Sequence, residues 1–359
     1  MKIKKLVSII CTFGMLIFAI GCQRVQTVTE YPTTVHTNGE ADNKNDEEAE
    51  VPSTETEEEK LVTDSLRTNG KFYYNPTLLN PVYKDHISEE LQTEARMIME
   101  AAYNHDLTID FSNMKSDYSS VNLATELAML SSPFCEEISL EDDGNGVYRV
   151  VYLYEEQVMK EKVAAYEQII TDMINERISS TATDAERAKI VYKWLIEEFE
   201  FDYDSLGNQE TLTETDSEYE RVDDITFVEQ KHGDLYNFVY TYVLILHQLG
   251  IESNLMGSMG YYEMQGSDKL DELMSPEKTY FYDMFCIDDT WYYCDLFFEK
   301  VVYDEDKEKY PETECEFTYF GMGDETRSKS WHPQYKRPVF NLVATKSPGM
   351  PECPEDLVF

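Results

Sequence analysis

The sequence predicts an α+β fold: a helix packed on an antiparallel sheet, behind an N-terminal helical and hairpin extension. Three observations lead there. Apolar residues recur at helical spacing in four segments between Ser88 and Leu249. β-like runs rich in Tyr, Phe and Met cluster after Ile251. Turn sequences built from Gly, Asn and Asp separate neighbouring strand-like runs, as in Gly144-Asn145-Gly146 and Asp288-Asp289-Thr290.

Ser88 to Tyr103 reads as a helix capped by Ser88, with Leu91, Ala95, Ile98, Met99 and Ala102 on one face. Glu141 to Gly146 reads as a hairpin turn leading into a strand from Val147 to Tyr154. Its acids do not keep the ligand order of an EF-hand, so a Gly/Asn turn explains them without calcium. Gln157 to Ser179 is a second helix. Thr183-Asp184-Ala185-Glu186 is a capping box that opens a third, with Ile190, Val191, Trp194, Leu195 and Phe199 on its apolar face. Phe201-Asp202-Tyr203-Asp204 follows, and then an acidic loop is expected to about Glu229. A fourth helix runs from Leu235 to Leu249 and stops at Gly250. Strands are expected over Ile251–Tyr262, Thr279–Ile287 and Trp291–Glu299, with a tight turn at Asp288-Asp289-Thr290.

Composition excludes several classes. The 359 residues hold 71 Asp plus Glu against 30 Lys plus Arg, a formal charge of −41. So negative a chain repels nucleic-acid phosphates, and no nucleic-acid partner is expected. Aromatic residues make up 13%, too many for wholesale disorder. Lys2, Lys4 and Lys5 precede a 15-residue apolar stretch, Leu6 to Ile20, shorter than the roughly 20 residues of a membrane span. It ends Ala19-Ile20-Gly21-Cys22, which resembles a bacterial lipobox. That resemblance implies cleavage before Cys22 and a lipid on its thiol, so the rest of the chain faces outside the cytoplasm, anchored to the cell membrane. Without residues 1–21 the charge becomes (30 − 3) − 71 = −44.

Residues 22–63 read as an acidic disordered tether. Over 23–62 there are 11 acids, three basic residues and the single aromatic Tyr31. The folded part then divides into a helix and hairpin region over 64–182, a domain over 183–340 and a tail over 341–359. Five cysteines remain after Cys11 and Cys22: Cys135, Cys286, Cys294, Cys315 and Cys353. An odd number cannot all pair within one chain. Their spacing matches no zinc pattern, so neither a metal nor a cofactor is expected.

The order of motifs carries a family resemblance. Lys193-Trp194-Leu195, Phe201-Asp202-Tyr203-Asp204, Leu249-Gly250-Ile251-Glu252-Ser253 and Trp291-Tyr292-Tyr293-Cys294-Asp295 succeed one another as in the transglutaminase-like domain, over about residues 183–300. Tyr319-Phe320-Gly321-Met322-Gly323-Asp324 is similar to the segment C-terminal to the core in bacterial members. The resemblance implies a papain-like fold and a Cys-His-Asp triad, in which a Cys at a helix N-terminus is held as thiolate by the helix dipole and an imidazolium. Leu235 stands where the Cys would be, Tyr280 where the His would be, and Asp295 survives. No slip of register repairs this, because no Cys lies between Cys135 and Cys286 and no His between His247 and His332. Leu has no nucleophilic atom, and a phenol is a poor proton shuttle at neutral pH. The expectation is a pseudoenzyme.

The same alignment sets three structural expectations. Asp234 caps the helix that Leu235 opens. The Tyr280 hydroxyl bonds Asp295 in place of the missing imidazole. Tyr280, Tyr282, Trp291 and Asp295 line the former catalytic groove and are the candidate ligand-binding residues, for a peptide, cell-wall material or an envelope protein. The alternative is an active thiol protease, amidase or transglutaminase that uses Cys286 or Cys294 with His232 or His332.

Overall fold

The computed structural model describes residues 71–84, 87–114, 118–203, 222–262, 279–338 and 351–358, with backbone alone at 84, 118, 257–262, 279–280 and 330–338. All of them fall in one compact unit. The signal segment, Cys22 and the tether lie outside the described residues. No described helix is long and apolar enough to cross a membrane.

The fold is α+β. The helices are α1 (Pro81–Lys84), α2 (Glu89–Asn104), α3 (Tyr118–Met129), α4 (Glu156–Arg177), α5 (Asp184–Glu198), α6 (Asp224–Gln230), α7 (Leu235–Gln248), α8 (Leu296–Lys309) and α9 (Asp324–Ser330). The strands are β1 (Thr108–Asp110), β2 (Ile138–Gly144), β3 (Val147–Tyr152), β4 (Glu200–Phe201), β5 (His232–Gly233), β6 (Ser253–Tyr262), β7 (Thr279–Ile287), β8 (Thr290–Cys294), β9 (Phe320–Met322) and β10 (Trp331–Pro338). A small antiparallel sheet has the order β1-β3-β2, and the main antiparallel sheet the order β10-β6-β7-β8-β9.

Local chemistry accounts for most boundaries. Ser88 caps α2, accepting the Leu91 N–H. Thr183 and Glu186 close the expected capping box on α5. Asp288 and Asp289 both take positive φ, as a two-residue type I′ hairpin between β7 and β8 requires. Helix α7 is the centre. Its sequence, LYNFVYTYVLILHQ, is apolar on nearly every side, and all of its residues except Tyr236 are buried. The β1–β3 region packs into the same core, where the Tyr240 hydroxyl of α7 donates to the Met129 carbonyl of α3.

Helix α3 (Tyr118–Met129) is not among the helices expected from the sequence, and two segments nearer the site differ from their reading. The acidic loop before Glu229 contains α6, capped by Asp223. The strand expected over Trp291–Glu299 ends at Cys294, and the chain turns into α8. Asp295 causes the switch: its Oδ1 accepts the Phe298 N–H at 3.0 Å, a helix N-cap. The run Leu296-Phe297-Phe298 is apolar enough for either structure, so the cap decides.

A shortage of cations shapes the packing. Tyr hydroxyls donate to carboxylates where a Lys or Arg would serve elsewhere: Tyr103 to Glu167 at 2.8 Å, Tyr154 to Asp223 at 2.6 Å, Tyr203 to Asp304 at 2.8 Å and Tyr293 to Asp324 at 2.8 Å. A phenol donates without adding charge, which suits an acid-rich chain.

Candidate functional site

The N-terminus of α7 is built from Asp234 outward. The Asp234 Oδ1 accepts the Asn237 N–H at 3.0 Å, and the Asn237 Oδ1 accepts the Asp234 N–H at 3.1 Å. Asn237 also donates to Asp224 Oδ1 at 2.7 Å. This is the cap expected at Asp234. It places two carboxylates at the helix end that would otherwise stabilise a thiolate. Leu235 comes next, buried. The end of α7 is therefore an apolar plug with an anionic collar.

Strand alternation divides the other predicted residues between two faces of the main sheet. Phe281, Asp283 and Phe285 of β7, with Cys294 of β8, face α7 and α5. The Phe281 ring meets Tyr236 edge-on at 5.5 Å, and Phe285 stacks on Phe320, which meets Tyr192 of α5. Tyr282 and Tyr293 face the other way, 5.8 Å apart, beneath α9. The Arg327 guanidinium of α9 lies 5.2 Å from the Tyr282 ring centroid and 5.8 Å from that of Phe298. Leu235 and Tyr282 thus belong to opposite sides of the sheet. Tyr280 is described by its backbone alone, paired with Ser258 of β6.

Asp295 is fully buried, and its carboxylate is engaged twice. Oδ1 caps α8, and Oδ2 pairs with Arg327 Nη2 at 3.1 Å. Arg327 thus provides Asp295 with a cation; the hydrogen bond expected from the Tyr280 hydroxyl involves a side chain outside the described ones. Tyr282, Tyr292, Tyr293 and Asp295 are buried, while Trp291 is half-buried. Of the groove residues expected from the sequence, Tyr282 and Asp295 are therefore packed core. β-Branched and aromatic side chains on both faces of a sheet covered on both faces become interior.

The structure adds two titratable residues that the motif reading missed. Asp283 is buried opposite Cys294, and neither carboxyl oxygen has a hydrogen-bond partner among the described residues. Burial pushes its carboxyl well above the usual range, and nearby Asp295 adds to the effect. The signal in the sequence was one acid inside the apolar run Tyr280 to Ile287. His247, at the end of α7, is buried with Nε2 3.0 Å from the Ser253 carbonyl; burial brings it down to about 4.

Cys286 and Cys294 form no disulfide among the described residues and are poorly activated. Burial pushes the Cys286 thiol up to about 11 and the Cys294 thiol well above its ordinary value, with Asp283 and Asp295 opposing the Cys294 thiolate further. His232 is half-buried on β5, and the side chain of His332 lies outside the described ones. No group of three or more His, Cys, Asp or Glu able to hold a metal occurs among the described residues.

No family model and no curated protein matches the chain. Among solved structures it is similar to a putative protease from Parabacteroides distasonis, at 9% identity over 44% of this chain and 35% of that one, with a TM-score of 0.22. The chain covers about a third of that protein's length, and a likeness at this level assigns no activity.

Proposed function

We propose that this chain is a lipid-anchored extracytoplasmic protein whose transglutaminase-like domain binds or scaffolds at the cell envelope without catalysis. One observation carries the reading. The helix end where the resemblance puts a nucleophile holds a buried Leu235, ringed by Asp234 and Asp224. The element order supports the family reading: the α5 helix with its Thr183 cap, the central α7, then the antiparallel β7–β8 pair ending in Asp295. The burial of Leu235, Tyr282 and Asp295 favours recognition at a surface other than the former groove. The membrane is reached through a lipid on Cys22, and the partner is a peptide, cell-wall material or an envelope protein.

The competing enzyme reading needs a thiolate from Cys286 or Cys294. Burial opposes ionisation of both. The test is an assay of amide hydrolysis and transamidation with the purified protein, with and without iodoacetamide. No thiol-dependent turnover is expected; turnover abolished by iodoacetamide would overturn the proposal. Cys22→Ala is expected to shift the protein from the membrane to the soluble fraction.

A further inference from the structure

Among the described strands the main sheet ends at β9. Phe320 and Met322 pair with Cys294 and Tyr293 of β8, and Gly321 between them is the extra residue of a bulge, with positive φ. Its carbonyl accepts the Leu357 N–H at 2.7 Å. Beyond it, the Gly323 N–H donates to Asp356 Oδ1 at 2.7 Å, and the Thr326 hydroxyl donates to Asp356 Oδ2 at 2.7 Å. Asp324 N–H donates to the Cys353 carbonyl at 2.7 Å, and Cys353 N–H donates to Asp324 Oδ2 at 3.0 Å. The C-terminal segment 351–358 therefore lies along the sheet edge, held by main-chain bonds, a carboxylate seat and one aliphatic contact. One of these main-chain bonds reaches β9 and the other the first residue of α9; a peptide docked at a sheet edge uses the same kinds of contact.

The glycines of the edge are shaped for it. A Cβ on Gly321, which has φ +69°, would meet Leu357 Cβ at 2.7 Å; a Cβ on Gly323 would meet the Glu355 backbone at 2.7 Å. Only part of the segment is anchored: Cys353 sits in the core, and Asp356 and Leu357 hold its far end. Cys353 is buried and Leu357 half-buried, while Glu352, Pro354, Glu355, Asp356 and Val358 are exposed. Segments with so little buried surface open locally at a free energy below that of global unfolding. Open, the edge would offer the outer backbone of β9 and the surface above Tyr293, now buried with its hydroxyl on Asp324.

We propose that the β9 edge is a peptide-binding groove held closed by the chain's own tail, and that its ligand is an extended peptide with an Asp-Leu pair like Asp356-Leu357. This rests on the binding reading above and names its surface and ligand class. Its test does not involve the triad positions, so its failure and the discovery of thiol-dependent turnover are separate results.

The experiment uses the full chain, with Cys353 as reporter. Alkylation by iodoacetamide is tracked by peptide mass mapping, with the buried Cys135 and Cys294 as internal references. Cys353 is expected to react at least tenfold faster than the references. Excess Ac-Ser-Pro-Glu-Asp-Leu-Val is expected to accelerate Cys353 several-fold more, whereas the same peptide with Asn for Asp is not. Asp356→Asn in the chain should speed Cys353 without changing Cys135. Cys353 reacting in step with the references would overturn the proposal, because the tail then opens only with the whole fold. A fast Cys353 indifferent to the peptide would also overturn it. So would acceleration by protein concentration in place of peptide, which would assign the edge to a second copy of the chain.

Discussion

The two faces of the main sheet bury the same residue type in contrasting ways. On the α9 face, Asp295 has a helix N–H on one oxygen and Arg327 on the other. On the α7 face, Asp283 has no hydrogen-bond partner among the described residues and keeps its proton to higher pH. A buried carboxylate is tolerated when a cation and an N–H meet it; otherwise neutralisation is its cheapest state. Asp295 has a structural partner in Arg327 of α9, whereas Asp283 lies on the face of the sheet that meets α7.

The sharpest way to break this contrast is Arg327→Met. It leaves Asp295 buried without its cation, and urea denaturation is expected to show a loss of about 3–5 kcal/mol. Arg327→Met combined with Asp295→Asn should recover part of it, because the amide still caps α8 but carries no charge. Equal losses in the single and double variants would show that the pair's charge is immaterial.

The next effect is one of pH. The folded chain lowers His247 from 6.5 to about 4, so the unfolded chain takes up that proton first as pH falls. The contribution is complete above pH 6.5 and is lost on the way down to 4, about 3 kcal/mol in all. His247→Gln should flatten the dependence of the urea midpoint on pH between about 6.5 and 4.5 relative to the parent; an unchanged slope would remove His247 as its source.

Asp283 acts with the opposite sign. Its folded carboxyl titrates above the ordinary 3.8, so its contribution is full below 3.8 and declines as pH rises through the folded value. Asp283→Asn removes that decline and is expected to stabilise the protein at about pH 7.5 by about 1–3 kcal/mol. Lower stability of the variant at that pH would show that the carboxylate has a partner after all. The smallest effect is at the surface. Thr183→Ala removes the side-chain cap of α5 and should cost about 1 kcal/mol, independent of the sheet variants.

Much of the architecture is legible in the sequence, wherever the signal is local. Ser88, Thr183 and Asp234 cap the helices that they precede, because a cap is a contact between residues three apart. The Asp288-Asp289 turn sets the β7–β8 register for the same reason. Helix α8 reads as strand from the sequence: Trp291 to Glu299 is apolar under either periodicity, and the choice rests on which amide the Asp295 carboxylate finds. Arg327 is invisible as a site residue, 32 positions from the acid it pairs with.

By itself, then, the sequence determined the α+β class, the apolar helix that Asp234 caps, and the acid-rich, cation-poor composition. Those come from composition, periodicity and the identity of single residues. Only the tertiary structure decided which face each strand residue occupies, that Tyr282 and Asp295 are interior, that Arg327 neutralises Asp295, and that the tail covers the β9 edge. Each depends on long-range pairing, and burial is a property of what packs against a residue rather than of the residue.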